Sequence, residues 1–321
     1  MPERPTVSDG GLFGGRRDAA TALRIGLIGY GEVGRIFAAD LQARAAWTGA
    51  WDLKFADPAR QTEPRAHAAA AGVQVCDSAA ALCAQATLVM SAVTASNTLA
   101  VAQAVAPHIR PGSFFLDLNS ASPGTKHQAA ALIDAAGAHY VEAGVMTSVP
   151  PCGIRVPMLL GGAHAARLQP VLTGLGMDCT VASEQLGIAS ATKMCRSVMI
   201  KGLEALVIES YTTARHYGVE DAMIATLQET FPGIDWQRQG SYFFSRVAQH
   251  GRRRAEEMRE VAQTVREAGF EPFMAGAIAD KHQWMADQAR AGHFEGLADP
   301  AWTDYADRLL AVRADTPSDP A

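Results

Sequence analysis

Short apolar runs punctuate the first half of the chain, at Arg24–Ile28, Leu53–Ala56, Leu88–Ala92, Phe114–Leu118, His139–Val145 and Met158–Gly161, and Ala-rich stretches with helical spacing separate most of them. The runs are mostly continuous in apolar residues, the signature of strands covered on both faces. Strand and helix in alternation predict a mostly parallel, doubly wound α/β sheet. From about Leu186 the texture changes to long helical patterns, "SATKMCRSVMIKGLEALVIESYTTARHYG" and "RRRAEEMREVAQTVREAG", and no strand is read there. The pattern predicts an α/β domain over 23–182 and an all-helical domain over 183–314, flanked by a disordered tail at 1–22 and a frayed one at 315–321.

Composition narrows the function classes. With 321 residues and 48% hydrophobic content the chain can bury the cores of two domains. A net charge of −5 gives no basic field, and no Lys/Arg stripe is interleaved with aromatics, so no nucleic-acid partner is expected. Five cysteines, Cys76, Cys83, Cys152, Cys179 and Cys195, are scattered and odd in number, which suits free thiols in a reducing cytoplasm. Ser78–Ile109 carries no charge, but Gln85, Ser91, Thr94, Ser96, Asn97, Gln103, Pro107 and His108 interrupt it. Buried α/β structure is expected there, and no membrane partner. The nine histidines are dispersed and no metal is expected; no G-x-S-x-G elbow follows a strand.

The chemistry begins at "LRIGLIGYGEVGRIFAADL". Gly29, Gly31 and Gly34 form G-x-G-x-x-G directly after a strand and at the opening of a helix, the setting in which this pattern binds a dinucleotide. Gly29 permits the tight turn, Gly31 lets a pyrophosphate approach the backbone, and Gly34 lets helix and strand pack closely. Helix N–H groups then face the phosphates. The loop residues Tyr30, Glu32 and Val33 and the strand-end residues Ala92, Val93 and Thr94 complete the expected cofactor set. An acid should end the second strand and take the ribose diol. Asp57, 28 residues past Gly29 (57 − 29 = 28), is the candidate, with "RAAWTGAW" as an insertion that lengthens the usual spacing. It favours NAD. Arg60 is a rival that would meet a 2′-phosphate, leaving NADP open. For the glycines alone the plain alternative is an ordinary strand–helix turn, and for Asp57 a helix cap.

The order of segments resembles the β-hydroxyacid dehydrogenase superfamily, which includes 3-hydroxyisobutyrate and 6-phosphogluconate dehydrogenases. The likeness is carried by the glycine motif, by "FLDLNSASPGT" with Asp117, Asn119, Ser120 and Pro123, and by "GIASATKMCRS" with Lys193. The stretch "HGRRRAEEMREVAQTVREAGFEP" resembles a branch with its own C-terminal helical domain. The resemblance implies a Rossmann-type nucleotide domain, a nicotinamide cofactor, a small substrate carrying a carboxylate, and Lys193 as general acid/base. An amine beside the reacting oxygen takes the hydroxyl proton during oxidation and returns it during reduction. Ser120, Ser197 and, by position only, Met146, Thr147 and Ser148 are the implied substrate contacts. The chain departs from the family at Arg196, where Asn is usual, and in "VEAGVMTSVPPCG", where a Ser-Gly-Gly turn is usual.

In Arg252–Arg254 a solvated helix face competes with a carboxylate clamp. His250, Arg253 and Glu257 share a helix face and form the candidate substrate or interdomain surface. Trp236, Tyr242 and Phe243 read as core or as a pocket wall. Glu204, nearly in line with Lys193 but about 16 Å along the helix, is not expected to touch it. Wide apolar helical faces suggest a homodimer. Two other readings stay open: a dinucleotide sensor that has lost its chemistry, and an imine reductase.

Overall fold

The computed structural model describes residues 23–314, so the expected tails at 1–22 and 315–321 lie outside the described residues. One eight-stranded sheet is built from β1 (Arg24–Ile28), β2 (Trp47–Trp51), β3 (Gln74–Val75), β4 (Leu88–Ser91), β5 (Phe114–Asp117), β6 (His139–Val145), β7 (Met158–Gly161) and β8 (Cys179–Ser183). Its order is β3-β2-β1-β4-β5-β6-β7-β8, and every neighbouring pair is parallel except β6 with β7. The crossovers carry α1 (Glu32–Gln42), α2 (Leu53–Ala56), α3 (Thr62–Ala70), α4 (Ala79–Cys83), α5 (Thr98–Val105), α6 (Pro123–Ala135) and α7 (Ala165–Gly174). Successive strand residues enter opposite cores, as a pleat requires. Ile25, Leu27, Leu88, Met90, Phe114 and Leu116 pack in one, and Ile28, Val89 and Phe115 in the other.

One predicted strand is corrected. Leu53–Ala56 is the short helix α2, and the second strand is Trp47–Trp51, within the segment taken for an insertion. Asp52 decides this locally, because its carboxylate accepts the Lys54 N–H at 2.9 Å and caps a helix where a strand would need to continue. Two further strands escaped the sequence reading. β3 is only a residue pair, and β8 is an edge strand in which exposed residues alternate with buried or half-buried ones.

The described chain separates into two compact units. The first comprises 23–93, 97–119 and 125–190; the second comprises 94–96, 120–124 and 191–314. The division falls between Ser190 and Ala191, inside α8 (Ile188–Tyr217), where the sequence reading had placed it near Ser183. The second unit continues with α9 (Glu220–Thr230), α10 (Trp236–Glu267), α11 (Phe273–Arg290) and α12 (Trp302–Ala314). Its core gathers Ile208, Tyr211, Phe244, Val247, Met285, Trp302 and Tyr305. Trp236 and Phe243 belong to that core, whereas Tyr242 is exposed. Among the described residues no helix is long and apolar enough to cross a membrane.

Candidate active site

In the first unit β1 ends at Ile28 and the chain reverses at Gly29, whose φ of 95° lies in the left-handed region that glycine adopts without strain. A side chain there would collide with the Ala92 carbonyl, and one at Gly34 would collide with the Gly29 carbonyl. Gly31 is different: a Cβ on it would meet nothing within 4 Å. The space over Gly31 is therefore open, as a cradle for a pyrophosphate must be, and it lies where the strand order reverses between β1 and β4. Gly31→Val should leave the fold intact and abolish cofactor binding. Calorimetric titration with NADH beside a thermal melt checks this, and unchanged affinity in a folded variant would refute the cradle.

Asp52, directly after β2, accepts the Tyr30 N–H at 2.6 Å with one carboxylate oxygen and the Lys54 N–H with the other. It lies 23 residues past Gly29 (52 − 29 = 23), close to the usual spacing of about 20. Asp57 closes α2 instead, where it accepts the Ala59 N–H and pairs with Arg60 at 2.5 Å. That hydrogen bond from Arg60 holds the Asp57 carboxyl below its ordinary range. The strand-end position read as Asp57 is thus held by Asp52, because the strand itself sits earlier. Tyr30 turns its buried ring inward to His67, Glu32 is exposed and Val33 is partly buried. Ala92 and Val93 are half-buried and Thr94 is exposed.

The ends of β4 and β5 are braced by a buried polar network. Asp117 pairs with Lys126 at 2.9 Å, accepts the Asn119 N–H at 2.9 Å and accepts the Tyr140 hydroxyl at 2.6 Å. Burial and the Asp117 charge hold the Tyr140 hydroxyl protonated, well above its ordinary range. The Asn119 carboxamide accepts the Val93 N–H and donates to Ser91 Oγ. On β6 the buried Glu142 accepts the N–H groups of Gly187, Ala189 and Ser190 and so caps α8. Met146, Thr147 and Ser148 follow β6, with Thr147 exposed and the other two half-buried.

In the second unit Lys193 Nζ donates to Ser120 Oγ at 2.5 Å. Two carboxylates on α10 hold the segment carrying Ser120. Glu260 accepts the Ser122 N–H at 2.8 Å, and Glu267 accepts both the Ser122 hydroxyl and the Gly124 N–H. One turn beyond Lys193 the buried Ser197 accepts from Lys201 Nζ at 3.3 Å, and Lys201 pairs with Glu257 at 2.8 Å. Glu204 pairs with Arg254 in a buried two-pronged contact and does not reach Lys193's serine. The arginine run therefore splits three ways. Arg252 is exposed beside Glu256, Arg253 is exposed with its Nε 4.0 Å from Glu257, and Arg254 is structural. Arg196 is exposed and His250 half-buried. Ser120 and Lys193 are thus brought together, and Glu257, on the predicted face with His250 and Arg253, pairs with Lys201; Lys201, Glu260 and Glu267 are additions the sequence reading lacked.

Residues 24–183 match the NAD binding domain of 6-phosphogluconate dehydrogenase, and residues 214–285 match a domain of unknown function, DUF1932. A solved structure of a conserved hypothetical protein from Sinorhizobium meliloti is 39% identical, covering 90% of this chain and 96% of that one, with a TM-score of 0.71. A conserved protein described as structurally similar to 3-hydroxyacid dehydrogenases is 29% identical over 84% of this chain and 98% of its own, with a TM-score of 0.64. The chain belongs to the β-hydroxyacid dehydrogenase superfamily. Membership makes it an NAD(P)-dependent oxidoreductase by class, and its first unit is the nicotinamide-dinucleotide domain. A Mycobacterium tuberculosis 3-hydroxyisobutyrate dehydrogenase solved with L-serine shares the superfamily fold at 18% identity over 89% of this chain and 99% of its own, with a TM-score of 0.66.

Proposed function

We propose that this protein transfers a hydride between a nicotinamide dinucleotide and a small β-hydroxy acid or related alcohol or carbonyl compound, with Lys193 as the proton-transfer residue. The observation that carries the reading is the Lys193 Nζ–Ser120 Oγ contact at 2.5 Å, in a segment that α10 holds two and four residues on, at Ser122 and Gly124. When bound, the dinucleotide supplies the hydride acceptor or donor. Lys193 Nζ accepts the substrate hydroxyl proton in oxidation and returns it in reduction. Ser120 Oγ, by accepting from Nζ, orients the amine and offers the substrate oxygen a second hydrogen-bonding group. Ser197, His250 and the loop Met146–Ser148 are candidate substrate contacts. Exposed Arg253 is the candidate cation for a substrate carboxylate, and exposed Arg196 is a second.

On this reading Asp52 selects NAD, because a carboxylate at the end of the second strand accepts ribose hydroxyls and repels a 2′-phosphate. NAD should be preferred over NADP by at least about tenfold, or ~1.4 kcal/mol. Asp52→Asn should narrow that ratio while Asp57→Ala leaves it alone, as read from kcat/KM with each cofactor. An effect confined to Asp57→Ala would reverse the assignment. Free thiols support a cytoplasmic home. The exposed Met199, Leu206 and Tyr217 along α8 support burial against a second copy in a homodimer. A steady-state screen of β-hydroxy acids and their aldehydes with both cofactors tests the activity itself. Turnover of a β-hydroxy acid is the expected result; tight NADH binding without turnover of any substrate would favour a sensor instead.

A further inference from the structure

β4 ends at Ser91, in register with Asp117 of β5, and the next two N–H groups are met in different ways. Ala92 donates to the Ile28 carbonyl of β1 at 2.8 Å, which continues the sheet. Val93 donates instead to a side chain, Oδ1 of Asn119, at 2.7 Å. That residue is only 3% exposed. An N–H can be met only by an acceptor, so Oδ1 must face Val93 and Nδ2 must face Ser91 Oγ, 2.9 Å away. Asn119 is therefore held in one orientation.

The support behind Asn119 is closed as well. Its N–H donates to Asp117 Oδ1 at 2.9 Å, and Asp117 is clamped by Lys126 Nζ at 2.9 Å and by the Tyr140 hydroxyl at 2.6 Å. Lys126, Asp117 and Tyr140 are all buried. The segment that Asn119 holds lies against the glycine turn. A Cβ built on Gly29 would stand 2.3 Å from the Ala92 carbonyl oxygen and 2.9 Å from Val93 Cγ1. Ala92 and Val93 thus wall the crevice between β1 and β4 on its β4 side.

We propose that Asn119 is a positioning residue for the nicotinamide half of the dinucleotide: by fixing Val93 it shapes the β4 side of the crevice before the cofactor arrives. In a doubly wound sheet a dinucleotide lies across the crevice where the strand order reverses, one half to each side. The proposal rests on Asp52, after β2, marking the adenosine side, which leaves the nicotinamide half to β4. A wall that is ordered in advance spares binding the cost of ordering it. Without the carboxamide the Val93 N–H loses its acceptor, and the peptide that carries it is free to turn.

The test compares NADH with ADP, which carries the adenosine and both phosphates but neither the second ribose nor the nicotinamide, by calorimetric titration of the full chain. Asn119→Ala should raise the Kd for NADH about tenfold, ~1.4 kcal/mol, while the Kd for ADP stays within about twofold. That split is one a purely structural role would not give, because a loosened domain would weaken both ligands alike. Equal or greater weakening of ADP, or an unchanged Kd for NADH in the folded variant, overturns the proposal. If Asn119→Ala fails to fold in a thermal melt, Ser91→Ala decides, since it removes only the hydroxyl that anchors Nδ2. NADH should then bind about threefold more weakly with ADP unaffected, and an unchanged Kd for NADH overturns the proposal. The NAD-to-NADP preference of Asp52→Asn reports the adenosine side, so an error there and a failure at Asn119 are read separately.

Discussion

Glu204→Leu is expected to lower the stability of the helical unit by about 3–5 kcal/mol, the loss typical of removing one partner from a buried ion pair. Arg254 is almost fully buried, and both prongs of its guanidinium are used on Glu204. Without that carboxylate its charge would sit beside fully buried His282, which can offer no compensating anion. The loss should appear as a fall in the melting temperature on the order of 10 °C. Glu204→Leu combined with Arg254→Met should recover most of it, because the uncompensated charge, more than the lost attraction, is what destabilises. A single variant melting with the wild type would mean that apolar packing alone joins α8 to α10.

That pair illustrates what could and could not be read from the sequence. The strands of the sheet centre were legible because they are unbroken apolar runs, and Gly29, Gly31 and Gly34 were legible because a strand precedes them and a helix follows. The second strand was not, since "WTGAW" places a glycine and a threonine in its middle while "LKFA" looks more apolar; only the cap formed by Asp52 resolves the competition. Asp57 was chosen because Leu53–Ala56 was read as the second strand, and Asp52 is the acid that directly follows the observed one. Ser120 and Lys193 were each singled out through family resemblance, but their contact was not read from the sequence, as 73 residues separate the two. Glu257 was read on one helix face with His250 and Arg253, whereas nothing in the spacing singled out Glu260 and Glu267 in a helix rich in such charges. Spacing reveals which residues share a helix face, but not that Ser120–Gly124 would be the segment held by two of these carboxylates. Lys126 was similarly hidden in an Ala-rich helix, although its burial against Asp117 makes it part of the brace at the end of β5.

The central claim is that Lys193 moves a proton, and a pair of substitutions at that position tests it most directly. Lys193→Met keeps much of the length and the apolar stem, so the fold and NADH binding should survive. Turnover should nevertheless fall by about 10²- to 10⁴-fold, the usual contribution of general acid–base catalysis, and one limb of the pH–rate profile should vanish. Lys193→Arg keeps the positive charge and can still donate to Ser120, but a guanidinium does not release its proton near neutrality. Measuring kcat and KM for wild type, Lys193→Met and Lys193→Arg across pH therefore separates proton transfer from charge. The account predicts that the arginine variant is nearly as inactive as the methionine variant, with the loss in kcat. It is contradicted if arginine restores most of the activity and methionine raises KM alone, or if Lys193→Met turns over at close to the wild-type rate.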